Sequence, residues 1–98
     1  MAQKRDLRLP PQDLEAEKAV LGSVMLRKDA LNEIENFMTE HAFYSDKHRH
    51  IWKAMTELAQ RGDPIDLVSV STYLKDKGLL ESIGGGSEIS ALVESVPS

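Results

Sequence analysis

Apolar residues recur along this chain at three- and four-residue steps, the spacing that places them on one face of an α-helix. Leu14, Leu21, Val24 and Met25 share such a face, with Val20 at its margin. They predict a helix from Leu14 to about Arg27, entered through Leu9-Pro10-Pro11-Gln12 and capped by Asp13. Glu15 and Glu17 suit the positive end of its dipole. Gly22 lies inside this helix, where glycine costs about 1 kcal/mol relative to alanine. Close packing against a neighbouring helix is the favoured reason for it, with a functional hinge as the alternative.

Lys28-Asp29 interrupts the pattern. A second helix is predicted from about Ala30 to Met38, with Leu31, Ile34, Phe37 and Met38 inward. Thr39 caps a short turn ending in Ala42-Phe43-Tyr44, and Ser45 caps the most regular helix, Asp46 to Arg61. Along it Ile51, Met55, Leu58 and Gly62 step by four, three and four, and Trp52 and Ala59 widen the stripe, which predicts a central helix. Gly62 suits the position just past its end. Pro64 disfavours helix at Asp63, and Asp66 caps a helix from Leu67 to about Lys77, with Val70, Tyr73 and Leu74 inward and Gly78 ending it. Leu79 to Ile83 is a link, as one strand or one turn. Gly84-Gly85-Gly86 makes a turn, Ser87 caps a last helix from Glu88 to Val96, and Pro97 closes it. Its stripe of Ile89, Leu92, Val93 and Val96 closes the core or, alternatively, offers part of itself to a partner or a downstream segment.

No period-two alternation is long enough for a sheet, and no repeat or low-complexity tract occurs. The expected fold is therefore all-α: a compact bundle of five to six short helices in a single domain over residues 10–98, behind a flexible tail of residues 1–9.

Composition sharpens this. The chain has 98 residues, the size of one domain, and 41% hydrophobic with 29% charged residues is a globular balance. Without cysteine there are no disulfides or thiolate zinc sites, and a reducing compartment is compatible. Net charge is −4; Lys4, Arg5 and Arg8 crowd the first eight positions, so nine basic against fifteen acidic residues from Leu9 onward leave −6. A duplex-binding domain draws its non-specific affinity from clustered Lys and Arg, so a protein partner is favoured over naked nucleic acid. No apolar run approaches the ~20 residues of a membrane span, and no apolar region follows the charged start as in a secretory signal. A cytoplasmic location is expected.

Candidate chemistry is thin. Gly84-Gly85-Gly86 is followed by Ser87-Glu88-Ile89, not by the lysine and hydroxyl of G-x-x-x-x-G-K-S/T, and Glu88 would repel phosphate. Zinc ligands on a helix sit four apart, whereas His48 and His50 are two apart and face opposite sides. His48 is instead expected to be structural, for instance through a hydrogen bond closing the first turn of the central helix. Asp13, Asp29, Asp46 and Asp66 all mark helix starts, Glu33 and Glu35 cannot face each other, and Ser69 and Ser71 lack a neighbouring base. No catalytic, cofactor-binding or metal-binding residue is expected.

Several segments, taken together, carry a family resemblance. They are Pro10 through Gly22, Phe43-Tyr44 followed by His48-Arg49-His50-Ile51, Gly62-Asp63-Pro64-Ile65-Asp66, Gly78-Leu79-Leu80, Gly84-Gly85 and Pro97-Ser98. In order and approximate spacing from residue 10 to residue 98, the chain resembles the N-terminal domain of the bacterial replicative DNA helicases of the DnaB family. The resemblance implies a helical head domain that pairs weakly, builds the collar of a hexamer and docks the C-terminal domain of primase, with a helicase loader as a further partner. It implies that ATP and magnesium serve, and DNA is contacted mainly by, a separate RecA-like motor, and that the full-length protein is an ATP-dependent 5′–3′ helicase working at the bacterial, nucleoid-associated replication fork. This chain would then be truncated before a helical hairpin and the motor. Glu15 matches the family pattern and is a candidate partner contact. Glu88 is a second, standing where the family often has an aromatic residue, which weakens an anchor there or marks a basic partner. Gly22, Phe43, Tyr44, His48, Arg49, Gly62, Pro64, Asp66, Gly78, Gly84 and Gly85 are the structural motif. Two rival readings are the helicase-binding domain of primase, which has a similar helical fold but ends its chain, and a helix-turn-helix DNA reader built from Asp46 to Lys77. The acidic body and Pro64 in the connection speak against the latter.

Overall fold

The computed structural model describes residues 13–27, 29–36 and 38–97. They form α1 (Leu14–Leu26), α2 (Asp29–Ile34), a 3-10 turn η1 (Glu40–Ala42), α3 (Asp46–Arg61), α4 (Leu67–Asp76) and α5 (Gly86–Glu94). Among the described residues there is no strand, and the expected all-α class is what is found; Leu79 to Ile83 is a turn.

α3 lies in the middle because its apolar stripe is the widest. Ile51, Trp52, Ala54, Met55 and Leu58 are all buried, and α3 packs against α1, η1 and α4. α5 covers the other side of α1 and α4, burying Ile89 and Leu92. Phe43, from the segment after η1, fills the space beside Trp52 with ring centroids 5.4 Å apart. Leu21, Val24, Leu31, Val70, Leu74 and Ile83 complete the core.

Two glycines explain how the helices meet. A Cβ on Gly22 would stand 2.1 Å from the backbone oxygen of Leu92, so α1 and α5 cross at a contact that only glycine permits. Gly62 has φ +77 and ends α3, its N–H bonded to the carbonyls of Ala59 and Leu58 in a left-handed cap.

Helix ends are where expectation and structure part. Asp13 sits in a right-handed helical conformation and makes no side-chain cap. Ser45 occupies the capping position of α3 but its side chain caps nothing; its N–H is turned to Glu17 instead. The last helix begins at Gly86, two residues before Glu88, with Gly85 (φ +82) as its cap, so Ser87 lies inside the helix. α2 stops at Ile34, short of Met38: the Asn36 side chain bonds the Asn32 carbonyl that a further helical turn would use. Thr39 does cap η1, and Asp66 with Ser69 forms a reciprocal capping box at α4. The tail of residues 1–9 and the inward position of Phe37 lie outside the described residues.

Candidate docking surface

One buried polar cluster organises the face that α1 shares with α3. Glu17 is 4% exposed and His48 1%, and they meet with Nδ1 to Oε1 at 2.7 Å. The other Glu17 oxygen accepts the Tyr44 N–H at 2.6 Å, and the Ser45 N–H reaches Oε1 at 3.5 Å. A carboxylate this deep is tolerated because several donors converge on it. On this network Nδ1 of His48 donates to the Glu17 carboxylate, and among the described residues Nε2 has no partner. The His48 bond therefore joins α3 to α1 and does not close the first turn of its own helix.

Arg49 holds the same turn from outside. Its Nε donates to the Phe43 carbonyl at 2.8 Å and Nη2 to the Tyr44 carbonyl at 3.1 Å, while Nη1 pairs with Asp46. Phe43 is thus pinned inward, and Tyr44 is left outward at 44% exposure.

A second, half-buried cluster involves the same end of α3. Glu88, in the first turn of α5, accepts from Lys47 of α3 at 2.9 Å. That hydrogen bond holds the Glu88 carboxyl below its ordinary pKa against the opposing effect of burial, and the charges of Lys47 and then Lys18 add to it. Lys18 in turn pairs with Glu15 at 3.2 Å. Glu15 thus pairs with Lys18 on α1 and Glu88 with Lys47 of α3, and the charge of Lys18 is also felt at Glu88. The Glu88 side chain folds over Gly84 (φ +105), where a Cβ would stand 3.1 Å from it.

The remaining motif residues sit away from these pairs. Asp66 caps α4 and its carboxyl is held below the ordinary range by the Ser69 side chain and amide. Pro64 lines a cleft between α3 and α4, and Gly78 follows the end of α4. That cleft holds Tyr73, with the Arg61 and Lys77 cations each 5.4 Å from its ring centre. Among the described residues no three His, Cys, Asp or Glu side chains are grouped to hold a metal. No helix of the described residues is long and apolar enough to cross a membrane.

The arrangement of helices is shared with known proteins. The family model of the DnaB-like helicase N terminal domain matches residues 9–98. The chain belongs to that family. It is 43% identical over 90 residues to the replicative DNA helicase DnaC of Bacillus subtilis and 44% identical over 90 residues to DnaB of Geobacillus stearothermophilus, each alignment covering 92% of this chain and 20% of the relative. The N-terminal domain of the DnaB helicase from Mycobacterium tuberculosis superposes with a TM-score of 0.86 at 39% identity, over 92% of this chain and 62% of that one. This DnaB-type domain thus spans about a fifth of the length of the curated relatives it matches.

Sequence reasoning overlooked Glu17, which it read only as a dipole partner. The signal was present: Leu14, Glu17, Leu21 and Val24 fall on one helical face, so a carboxylate interrupts an apolar stripe. His48 interrupts the stripe of α3 in the same way, one turn before Ile51 and Trp52. Two opposed polar residues on two core faces are a pair in waiting.

Proposed function

We propose that this DnaB-type domain is a non-catalytic assembly and docking module. In the full-length protein it forms the collar of a hexameric helicase and receives the C-terminal domain of primase during DNA replication in the bacterial cytoplasm, and a helicase loader is a further partner. ATP hydrolysis with magnesium, 5′–3′ unwinding and most DNA contact belong to a motor domain outside these residues. The observation that carries the docking reading is the two ion pairs Glu15–Lys18 and Glu88–Lys47, with the charge of Lys18 also felt at Glu88. Family membership supports the rest.

Its mechanism is mass action among weak contacts. One head contact is small, and tethering the heads of a ring raises their effective concentration until the contacts count. The isolated domain is accordingly a monomer or weak dimer, and a tight hexamer of these residues in sedimentation would contradict this.

The test is a calorimetric titration of the helicase with its cognate primase C-terminal domain. Reversing both charges, Glu15→Lys with Glu88→Lys, is expected to weaken binding about tenfold or more, as for a residue pair that contributes at an interface. Glu88→Tyr is expected to change affinity as well. Unchanged affinity in both variants would remove both carboxylates from the interface.

A further inference from the structure

On the other side of α1 from Glu15 runs a groove of about 250 Å³, lined by Asp13, Ala16, Glu17, Val20, Met38 and Ala42. At 100° per residue the α1 members of this set cluster on one side, and Glu15 lies roughly 150° around the helix from them. The groove and the Glu15 carboxylate are therefore on separate surfaces. Its volume is below the ~300–1,000 Å³ of small-molecule pockets, and its walls are mostly aliphatic. Such a trough accommodates a few side chains projected at helical spacing from a partner.

Tyr44 stands beside it. Glu17, which lines the groove, accepts the Tyr44 N–H, and Arg49 donates to the Tyr44 carbonyl. Both sides of this residue's backbone are thus fixed, and the residue is 44% exposed, the one large aromatic among the described residues so placed. An exposed tyrosine on a fixed backbone has only its side-chain rotamers to lose on binding, which suits an interface anchor.

Charge selects the partner. The ionisable groups among the described residues that line the groove, Asp13 and Glu17, are carboxylates; Glu17 is already met by His48, Tyr44 and Ser45, which leaves Asp13 to face a partner. Glu40 opens the 3-10 turn that supplies Ala42, and Asp46, whose charge is met by Arg49, follows Tyr44 by two residues. The nearby cation, Arg49, is already committed to two carbonyls and to Asp46. We infer that this groove, with Tyr44 as its anchor, docks an amphipathic helix of a partner protein that carries aliphatic residues on one face and Lys or Arg beside them.

The intact chain tests this by amide NMR titration with a synthetic helical peptide of about four turns, leucine on one face and lysine on the other. A control peptide replaces each lysine by glutamate. The expected shifts concentrate at Ala16, Val20, Met38, Ala42 and Tyr44, and the lysine peptide binds about tenfold tighter than the control, by a margin that shrinks as salt is raised. Tyr44→Ala weakens binding about tenfold with the rest of the spectrum unchanged, because the bonds to Glu17 and Arg49 are made by backbone atoms. Ala16→Arg, at an exposed helix position, weakens it too by filling the groove with a like charge. Equal binding of the two peptides, shifts centred on Glu15 and Glu88, or indifference to both substitutions would overturn the inference. Concentration-dependent shifts at these residues without peptide would assign the groove to a second copy of the chain instead.

Discussion

Gly22→Ala is the sharpest test of how this domain is put together. In an isolated helix the change is favourable, by about 1 kcal/mol. Here the new Cβ would lie 2.1 Å from the Leu92 oxygen, 2.8 Å from the Leu92 carbonyl carbon and 2.7 Å from Val96 Cγ2. Two of those three neighbours are backbone atoms of α5 and cannot rotate away. Reaching ordinary contact requires α5 to move by about 1.3 Å, against a core in which Ile89 and Leu92 are fully buried. Overpacking costs about 1–3 kcal/mol, and a rigid neighbour places this case near 3. Subtracting the helix-propensity gain leaves a loss of about 2 kcal/mol. For a domain of this size that lowers the melting temperature by about 8–16 °C, measurable by far-ultraviolet circular dichroism. A melting temperature that is unchanged or higher would show that α1 and α5 do not cross at Gly22, and the packing described for both would be wrong.

Removing the buried carboxylate with Glu17→Ala strands His48 Nδ1 and the Tyr44 and Ser45 amides, and is expected to cost about 3–5 kcal/mol in chemical denaturation; a loss under about 1 kcal/mol would mean that water satisfies the cluster. Asp66 has its folded pKa below its unfolded value, so its contribution is complete above the ordinary carboxylate range and is lost as pH falls through the lowered value. Melting curves across acid pH should therefore flatten in Asp66→Asn, and an identical acid limb in both proteins would refute the capping box as a source of stability. Burial first, and then the charge of Glu57, push the Tyr73 phenol above its ordinary pKa. In a Tyr44→Phe chain, where only Tyr73 absorbs as tyrosinate, Glu57→Gln should shift the alkaline absorbance titration to lower pH; no shift would leave burial alone responsible.

How much of this was legible without coordinates depends on how local the cause is. The stripe Ile51, Met55, Leu58 marks α3 as central because amphipathic periodicity alone selects the face to be buried. The Asp66 cap and the Gly62 ending are equally local, since each joins atoms a few residues apart. The failed caps at Asp13, Ser45 and Ser87 mark the limit. A capping residue type is necessary for a cap, but at Ser45 the amide is drawn toward Glu17, 28 residues away, and at Ser87 the glycine turn starts the helix two residues early. For the candidate site, Glu15 was readable as a match to the family pattern and Glu88 as a departure from it, whereas the pairing of Glu88 with Lys47 was not, because it joins α5 to α3 across 41 residues.

The sequence by itself determined the all-α class, the approximate span of most helices, the acidic body and membership of the DnaB-type family. Those follow from periodicity, turn residues and motif order, all encoded over short windows. Tertiary structure alone decided that Glu17 and His48 form a buried pair, that Gly22 admits the backbone of α5, and that the Tyr44 amide is bonded to Glu17 while the residue stays exposed. Each of these joins residues separated by tens of positions. Such contacts depend on how whole helices pack, a cooperative result of burying every apolar stripe at once, which no single stripe contains.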